Sequence, residues 1–424
     1  MRVIADLHTH SRFAMACSSS ISIEGIDLTC KKKGIKLIGT GDFTHPKWLK
    51  ELKEGLEPAE EGFFKAKGSQ TGVRFVLSAE TSTVYNANGD SKRIHHCMLV
   101  PDFASADAIN DILSKKGDLA ADGRSQVSMS SMELVESVMG ASKGAFVFPA
   151  HAWTPFFGAL GIYSRYNSLK EVYGDQEKHI HALEQGLSAD PAMNWRISAL
   201  DKYTLLSNSD MHSLPKIGRE ANVFEVEEDE FSYKTITDSM RAKDTSRIKL
   251  NIEFFPEEGK YHFDGHRGCR FSVDPEHSEI KNCPVCGKRL TVGVLHRVND
   301  LADRPSGYVP KGSVPYMKLV PLLEVISYVM KKTAYSPLVA REYDKLVGRF
   351  GTEFDILMSI PEGEISAFTD PDIAKAIANV RDGNISITPG YDGNFGVLDL
   401  LSRDKNSAKR NQVKQRPLFG DVQS

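Results

Sequence analysis

The sequence predicts an α/β fold, namely a distorted seven-stranded βα barrel followed by a small cysteine-containing module and a helical domain. Over residues 1–225, short apolar runs alternate with helix-like polar stretches, and His, Asp or Glu closes most of those runs. From Ser313 onward, the apolar spacing becomes helical. Alternating strands and helices are typical of a parallel sheet, and polar residues at the carboxyl ends of its strands favour a barrel.

Seven short apolar runs in the first half of the chain are the predicted barrel strands. They are Val3–His8, Lys36–Gly41, Val73–Ala79, Ile94–Pro101, Gly144–His151, His181–Glu184 and Tyr203–Ser207. The later predicted elements are a helix at Asp229–Lys243, a strand at Lys249–Phe255, and helices at Tyr316–Met330, Leu338–Phe350 and Pro371–Arg381.

The length of 424 residues suggests two or three domains. We expect a barrel at 1–235, the cysteine module at 236–300, a helical domain at 301–400 and a basic, flexible tail at 401–424. With 41% hydrophobic residues, no apolar run near the ~20 residues of a membrane span and no visible signal peptide, we expect a cytoplasmic protein without a membrane partner. The net charge of -3 shows no global polyanion-binding character.

Imidazole and carboxylate side chains gather at the predicted strand ends. His8 and His10 share a strand face, as do Asp210 and His212, because alternate strand residues point the same way. Such buried groups are costly without an ion, so converging pairs predict a site for more than one Zn, Mn or Fe ion. The candidate metal ligands are His8, His10, Asp42, Glu80, His95, His151, Asp210 and His212.

Two of these positions leave a choice. His95 and His96 are adjacent and face opposite ways in a strand, so at most one of them enters the site. Asp42 directly follows an apolar run and is preferred to His45, which lies in a loop. Asp6 shares the strand face of the first two histidines and is a candidate for orienting an imidazole.

A second metal site is predicted in the cysteine module. Cys283 and Cys286 lie on one tight turn that Gly287 permits, and a His-x-x-Cys pair with the same spacing lies upstream. The predicted structural zinc ligands are His266, Cys269, Cys283 and Cys286, with His262 and His277 as alternatives for the histidine. The basic residues near this module and beyond it predict a local phosphate-binding surface. They are His266, Arg267, Lys288, Arg289, His296, Arg297, Lys331 and Lys332.

These motifs resemble the polymerase and histidinol phosphatase (PHP) superfamily of metal-dependent phosphoesterases, which fold as distorted seven-stranded βα barrels. The resemblance rests on segment 6–10, Glu80, His151 and segment 210–212. Over nearly the whole chain, segments 186–196, 265–269, 283–287 and 389–393 are similar to the archaeal endonuclease Q family. Members of that family nick DNA on the 5′ side of deaminated bases (uracil, hypoxanthine, xanthine) and of abasic sites.

The resemblance implies a DNA-repair endonuclease with two or three divalent metals (Zn, Mn or Mg), one structural zinc, and lesion-containing single- or double-stranded DNA as its partner. It favours His95 over His96 and implies that Asp190 acts in the site. The Asp-His pair common in the superfamily's second motif is Asp42-Phe43 here, a departure at a third metal position. A DNA substrate also implies association with the nucleoid.

Two ions roughly 3.5–4 Å apart can activate water and stabilise both reacting oxygens of a phosphodiester. We expect Glu80 to bridge them, and the predicted catalytic residues are Glu80, Asp42 and Asp190. One ion would take His8, His10, Glu80 and Asp210, and the other Glu80, His95 and His151. Asp42, Asp190 and His212 remain for a third ion or for acid–base work.

Asn194, Trp195 and Arg196 are candidates for binding an extruded base and clamping a phosphate, with helix packing as the alternative. In the tail, Gln415 and Leu418 match part of the sliding-clamp binding motif, which predicts the clamp as a second partner. Two competing functions are a small-molecule phosphoesterase of the histidinol-phosphatase type and a non-enzymatic, zinc-dependent nucleic-acid-binding protein. A small substrate needs neither the module nor the helical region, and idle clustered carboxylates would cost stability.

Overall fold

The computed structural model describes residues 1–87 and 89–401. Its strands are β1 Arg2–Asp6, β2 Leu37–Gly39, β3 Leu56–Pro58, β4 Phe64–Ala66, β5 Arg74–Ala87, β6 Asp90–Val100, β7 Ser125–Val127, β8 Phe146–Pro149, β9 Ala182–Glu184, β10 Thr204–Leu206, β11 Ala221–Glu225, β12 Ile248–Glu253, β13 Asp264–His266, β14 Phe271–Val273, β15 Tyr316–Lys318, β16 Ser386–Thr388 and β17 Val397–Asp399. Its α-helices are α1 Ile23–Lys33, α2 Pro46–Gly55, α3 Phe103–Leu113, α4 Ser131–Ala141, α5 Leu169–Tyr173, α6 Pro191–Asn194, α7 Tyr233–Ala242, α8 Val294–Leu301, α9 Leu322–Met330, α10 Pro337–Phe350, α11 Glu353–Met358, α12 Glu362–Ser366 and α13 Pro371–Asp382.

The central sheet is mixed, whereas the sequence pattern predicted a parallel one. Its strand order is β15-β12-β11-β1-β2-β5-β4-β3, with β6 and β7 also paired to β5, and β8 paired to β6. β1 runs parallel to β2 and antiparallel to β11. β9 and β10 form a separate parallel pair. Single bridges, Val147 to Ile180 and Thr9 to Met211, bring this pair beside β8 and beside the segment after β1.

A long hairpin accounts for most of the antiparallel character. β5 and β6 pair from Leu77–Val100 to Ala87–Asp90, and positions 88–89 between them are Asn-Gly in the sequence. Asn-Gly is the dipeptide most favoured in two-residue hairpin turns, and Gly89 has a φ of 80°. The predicted strand Val73–Ala79 therefore continues past Glu80, which lies inside β5 rather than at its end.

The later elements follow the predictions in part. The helices predicted at Leu338–Phe350 and Pro371–Arg381 are confirmed as α10 and α13, and the predicted strand at Lys249–Phe255 is confirmed as β12. The predicted helix from Tyr316 is wrong at its start. Tyr316–Lys318 forms β15, which pairs with β12, and α9 begins only at Leu322, after Pro321. The central sheet thus takes in β12 and β15 from beyond residue 235, and the predicted domain boundaries stay a prediction.

Within residues 1–87 and 89–401, none of the helices combines the length and the apolar character needed to cross a bilayer.

The core forms two clusters, one on each side of the central sheet strands. Ala5, Leu7 and Val76 belong to one cluster, whereas Ile4, Phe75 and Leu77 belong to the other, as strand alternation requires. The sheet is therefore covered on both faces, and polar side chains reach the surface at its edges and in the loops.

Candidate functional site

The loops after β1 and β10 bring the first group of candidate ligands together. Thr9 bridges to Met211, and the backbone N–H of His10 donates to the carbonyl of Met211 at 3.2 Å. This pairing sets Asp210 beside both histidines, with its Oδ1 at 3.0 Å from His10 Nε2 and 3.7 Å from His8 Nε2. These side chains come from the start of the chain and from the segment after β10, and backbone pairing holds the two segments together.

The second group is built on the β5–β6 hairpin and the loop after β8. Glu80 Oε1 lies 2.7 Å from His95 Nδ1 and 3.0 Å from His151 Nε2. The other carboxylate oxygen, Oε2, lies 3.4 Å from His10 Nε2 and 3.9 Å from His8 Nε2. Glu80 therefore stands between the two groups, where one oxygen can serve each. His96 points to the opposite face, and its ring contacts Thr83 and Tyr173.

The residues present fit divalent metal ions. His8 Nε2, His10 Nε2, His95 Nδ1 and Asp210 Oδ1 are buried. Some of these atoms lie close to one another or to Glu80, but none is aligned for a hydrogen bond within the described part of the chain. Buried polar atoms without a partner are costly. The atoms left over belong to imidazoles and a carboxylate, the donors that Zn and Mn prefer.

The charges of the site also favour cations. Burial raises the pKa of Glu80, but the surrounding imidazoles of His95, His10 and His151 outweigh burial and hold this pKa well below its usual range. Burial lowers the pKa of His8, but the carboxylate of Glu184 outweighs burial and raises this pKa to about 9. A metal ion bound to His8 would therefore displace a proton from it. Burial dominates at His95 and lowers its pKa to about 4, so that this imidazole is neutral and free to coordinate.

Two carboxylates orient the first pair of histidines. Glu184, the last residue of β9, accepts from His8 Nδ1 at 2.9 Å, and Asp42 accepts from His10 Nδ1 at 3.0 Å. Each therefore turns the Nε2 atom of its histidine toward the site. The other oxygen of Asp42 accepts from the N–H and hydroxyl of Ser11 at 2.6 and 2.7 Å. Both Asp42 oxygens are thus engaged away from the ligand groups, and its predicted place as a metal ligand stays a prediction.

The sequence reasoning missed Glu184 and assigned its role to Asp6, which is wrong. Asp6 accepts from the backbone N–H groups of Ser209 and Gly218 at 3.0 and 2.9 Å, so it anchors the loop that carries Asp210. The missed signal was present in the sequence, because Glu184 closes a predicted strand as the other candidates do.

Three residues of the candidate site have a left-handed backbone conformation. Asp42, His151 and Asp210 have φ values of 48°, 29° and 46°, in the left-handed region that residues other than glycine rarely adopt. Gly123 packs directly against the carboxylate of one of these residues, since a Cβ on Gly123 would lie 2.4 Å from Asp42 Oδ2. Residues held in such geometry at a cost are typical of functional sites.

Arg124 is a further site residue that the sequence reasoning missed. Its Nη1 lies 3.2 Å from Glu80 Oε2, and its side chain is 24% exposed, so it connects the buried carboxylate with the surface. A guanidinium in this position matches the geometry and charge of a phosphate.

The four predicted ligands of the cysteine module also come together. The ligand atoms of His266, Cys269, Cys283 and Cys286 lie within 4.8 Å of one another. The separation of Cys286 Sγ and His266 Nδ1 is 3.6 Å, close to the about 3.3–3.8 Å between ligands of a tetrahedral zinc. Burial raises the pKa of the Cys283 thiol, but hydrogen bonds from the backbone N–H groups of Cys286 and Val285 outweigh burial and lower this pKa to about 7. This donor set suits zinc.

Comparison with known proteins places this geometry in a family. The crystal structure of the lesion-specific endonuclease PfuEndoQ from Pyrococcus furiosus is 30% identical, with a TM-score of 0.82 over 98% of this chain and 100% of that one. An endonuclease Q structure in complex with a 27-mer duplex substrate, with an abasic lesion at the active site, is 31% identical, with a TM-score of 0.83 over 96% and 100% of the two chains. The chain belongs to the endonuclease Q family.

Two further comparisons match nearly the whole chain and its C-terminal helical region. The uncharacterized protein YqxK of Bacillus subtilis is 28% identical over 411 residues, which are 94% of this chain and 99% of that protein. A family model described as the MJ0043 C-terminal domain matches residues 321–384, the region of α9 to α13.

Asp190 and His212 lie outside the ligand groups of this endonuclease Q site. Asp190 caps α6, with one oxygen accepting from Met193 N–H at 2.9 Å and the other paired with Lys318 Nζ at 2.9 Å. The His212 ring lies 4.8 Å from the His10 ring, and its Nδ1 donates to the Asp210 carbonyl at 2.9 Å. A catalytic role for Asp190 and a metal-binding role for His212 stay predictions.

The three predicted base-binding residues make packing contacts. Asn194 is 1% exposed, and its amide bonds to Trp153 Nε1 and Gln185 Oε1, both at 2.9 Å. Trp195 meets the ring of Tyr316 edge to face at 5.6 Å. Arg196 donates to Asn299 at 2.5 Å. These are the contacts of the packing alternative, and the base-binding role stays a prediction.

The predicted basic surface is smaller than expected. Arg297 is wrong as a phosphate contact, because it is 7% exposed and donates to the carbonyls of Leu160 and Tyr166 at 3.0 and 2.8 Å. His296 pairs with Asp264 at 2.5 Å. Exposed cations remain at 267, 288, 289, 331 and 332.

The predicted clamp motif at 415–422 and the basic tail lie outside the described residues, apart from position 401.

Proposed function

We propose that this protein is a metal-dependent DNA-repair endonuclease that hydrolyses the phosphodiester on the 5′ side of uracil, hypoxanthine, xanthine and abasic sites. One observation carries the proposal. Glu80 joins two groups of buried imidazoles and carboxylates, and four of their ligand atoms make no hydrogen bond within the described residues. The similarity to a lesion-specific endonuclease and to an endonuclease Q bound to abasic duplex DNA supports the choice of substrate.

In this proposal, two or three divalent ions (Zn, Mn or Mg) occupy the site. His8, His10 and Asp210 would hold one ion, and His95 and His151 would hold another. Glu80 would bind both ions. When bound, such ions polarise the phosphate and lower the pKa of a water toward about 7.

The remaining residues of the site have positioning and charge-balancing roles. Glu184 and Asp42 fix the tautomers and directions of His8 and His10. Arg124 contacts Glu80 and reaches the surface. It would donate hydrogen bonds to a non-bridging phosphate oxygen and offset the charge of that oxygen. Asp190 would act on a proton of the attacking water or the leaving oxygen, as the family resemblance implies.

We further propose one structural zinc on His266, Cys269, Cys283 and Cys286, which stabilises a module with little core of its own. The seven-stranded barrel is proposed to run through β1, β2, β5, β6, β8, β9 and β10, because β6 pairs with both β5 and β8, and single bridges connect the β9–β10 pair to the neighbouring strands. The module, a helical DNA-contacting domain and a clamp-binding tail would follow it. Such an enzyme would act at the nucleoid.

The test uses metal-stripped protein and duplexes that carry one deoxyuridine, one deoxyinosine or one abasic site. Zn, Mn and Mg are added back separately, and an undamaged duplex and a small phosphate monoester serve as controls. We expect a single nick on the 5′ side of each lesion that depends on added metal. Release of phosphate from the monoester with every duplex intact would instead favour the histidinol-phosphatase type of activity.

A further inference from the structure

A group of aromatic side chains is exposed on the loop that follows the metal-ligand candidate His151. Phe156 and Tyr163 are 43% and 49% exposed. Their rings stack with centroids 4.7 Å apart and planes at 12°. Tyr261 meets Phe156 edge to face at 5.9 Å. A contiguous patch of exposed aromatic side chains of this kind is typical of binding sites.

The fold holds this aromatic pair in place. The N–H of Tyr163 donates to the carbonyl of Pro155 at 3.1 Å, which sets the two rings side by side. The loop is tightly wound, since a Cβ on Gly161 would lie 2.2 Å from the carbonyl oxygen of Thr154. From α8, the buried Arg297 donates to two carbonyls at the end of the loop. Because the rings are already ordered, a partner would bind them at little cost in conformational entropy.

The pair lies next to the metal centre. Phe157, the neighbour of Phe156, stacks on the ring of His95 with a centroid distance of 4.6 Å and an interplanar angle of 8°. The N–H of His95 also donates to the carbonyl of Phe157 at 3.0 Å. A group that reaches Phe156 is therefore within one or two side chains of the candidate ligands.

Cations flank the aromatic surface. The guanidinium of Arg93 lies 5.9 Å from the Phe157 ring, and Lys260 Nζ lies 4.7 Å from the ring of Phe395, which is 52% exposed. Arg93 and Lys260 are both exposed. Aromatic faces interleaved with positive charge suit a ligand that has flat bases and phosphates, and they are the usual features of surfaces that bind unpaired nucleic acid.

We propose that Phe156 and Tyr163 form a stacking platform for an unpaired base of the DNA beside the scissile phosphodiester. The inference rests on the proposed DNA-cleaving function and adds a base-binding surface to it. Extruding a damaged nucleotide removes one stacking partner from its neighbours. A base that stacks on the platform regains that contact, whatever its identity, so the platform lowers the cost of extrusion without reading sequence.

The experiment compares Phe156→Ala and Tyr163→Ala with the wild type, with Phe156→Trp as the conservative variant. Leu28→Ala, at a 58% exposed leucine on α1, is the matched control. Binding is measured without added metal on an abasic duplex with 2-aminopurine next to the lesion, and single-turnover nicking is measured with metal. We expect each alanine variant at the platform to bind about 5- to 150-fold more weakly.

In the wild type, Phe156→Trp and Leu28→Ala, binding should change the 2-aminopurine fluorescence, and this change should be absent in Phe156→Ala. Metal content and melting temperature should match the wild type in every variant. The platform is refuted if the alanine variants give wild-type affinity and the wild-type fluorescence change, or if their defect follows lost metal. A wild type that binds with the fluorescence change but nicks no damaged duplex refutes the proposed function and leaves the platform standing.

Discussion

The substitution Glu184→Gln tests whether the buried carboxylate beside His8 organises the metal centre. Glu184 is 1% exposed and accepts hydrogen bonds from three donors within the protein. The donors are His8 Nδ1 at 2.9 Å, the backbone N–H of His151 at 2.7 Å and Asn208 Nδ2 at 3.0 Å. Glutamine has nearly the same shape, but it replaces one of the two acceptor oxygens with an NH₂ group and removes the charge.

The expected magnitude follows from these contacts. The new NH₂ group must face at least one of the three donors, and a buried donor without a partner costs about 1–3 kcal/mol. Loss of the carboxylate that orients a metal-ligating histidine typically weakens metal binding by about 10- to 100-fold. The first figure is a loss of stability, and the second is a loss of metal affinity of about 1.4–2.8 kcal/mol, since tenfold in affinity corresponds to about 1.4 kcal/mol. We therefore expect Glu184→Gln to fold and to bind divalent metal about 10- to 100-fold more weakly.

The assay is competition for Zn and for Mn against a chelator of known affinity, together with thermal unfolding of the metal-free protein. Glu57→Gln, at a carboxylate on β3 whose side chain is 39% exposed, is the matched control and should bind metal as the wild type does. The reasoning is refuted if Glu184→Gln has wild-type metal affinity, or if it weakens binding no more than the control.

The other predictions concern the bridge, the acid and the module. Glu80→Ala should lose at least one equivalent of metal and its nicking activity, and full metal content by elemental analysis would contradict the bridging role. Asp190→Asn should keep its metal, and its nicking rate should fall more than 100-fold if Asp190 transfers a proton; a rate near that of the wild type would leave it only as the cap of α6. Cys286→Ser should release zinc and expose the module to proteolysis, whereas intact zinc stoichiometry would remove this residue from the ligand set. Hydrogen bonding to Asp264 raises the pKa of His296, so this pair stabilises the fold fully below about pH 6.5 and loses that effect as the pH rises through the folded pKa. The difference in melting temperature between the wild type and His296→Gln should therefore shrink from pH 6 to pH 9, and a constant difference would contradict this account.

Local signals predicted much of the fold. Ser336, Pro337 and the apolar spacing that follows predict α10, and Pro371 with Gly383 at the far end brackets α13. Pairing partners escaped prediction, because strand direction depends on residues far apart in the chain. The Asn-Gly sequence at 88–89 was the one local signal for an antiparallel hairpin at β5 and β6, and the reasoning did not use it.

The sequence by itself determined which residues could bind metal, because imidazole, thiolate and carboxylate groups recur at strand ends and at the spacings that ligands need. Both Glu80-centred groups and the four residues of the cysteine module came from that pattern. Only the tertiary structure decided which atoms meet. In the folded chain, Glu184 rather than Asp6 accepts a hydrogen bond from His8, and Arg124 contacts Glu80. Arg297 is buried and donates to the loop that carries the exposed aromatic residues. These outcomes depend on contacts between side chains up to 176 positions apart, and spacing along a chain contains no information about distances of that kind.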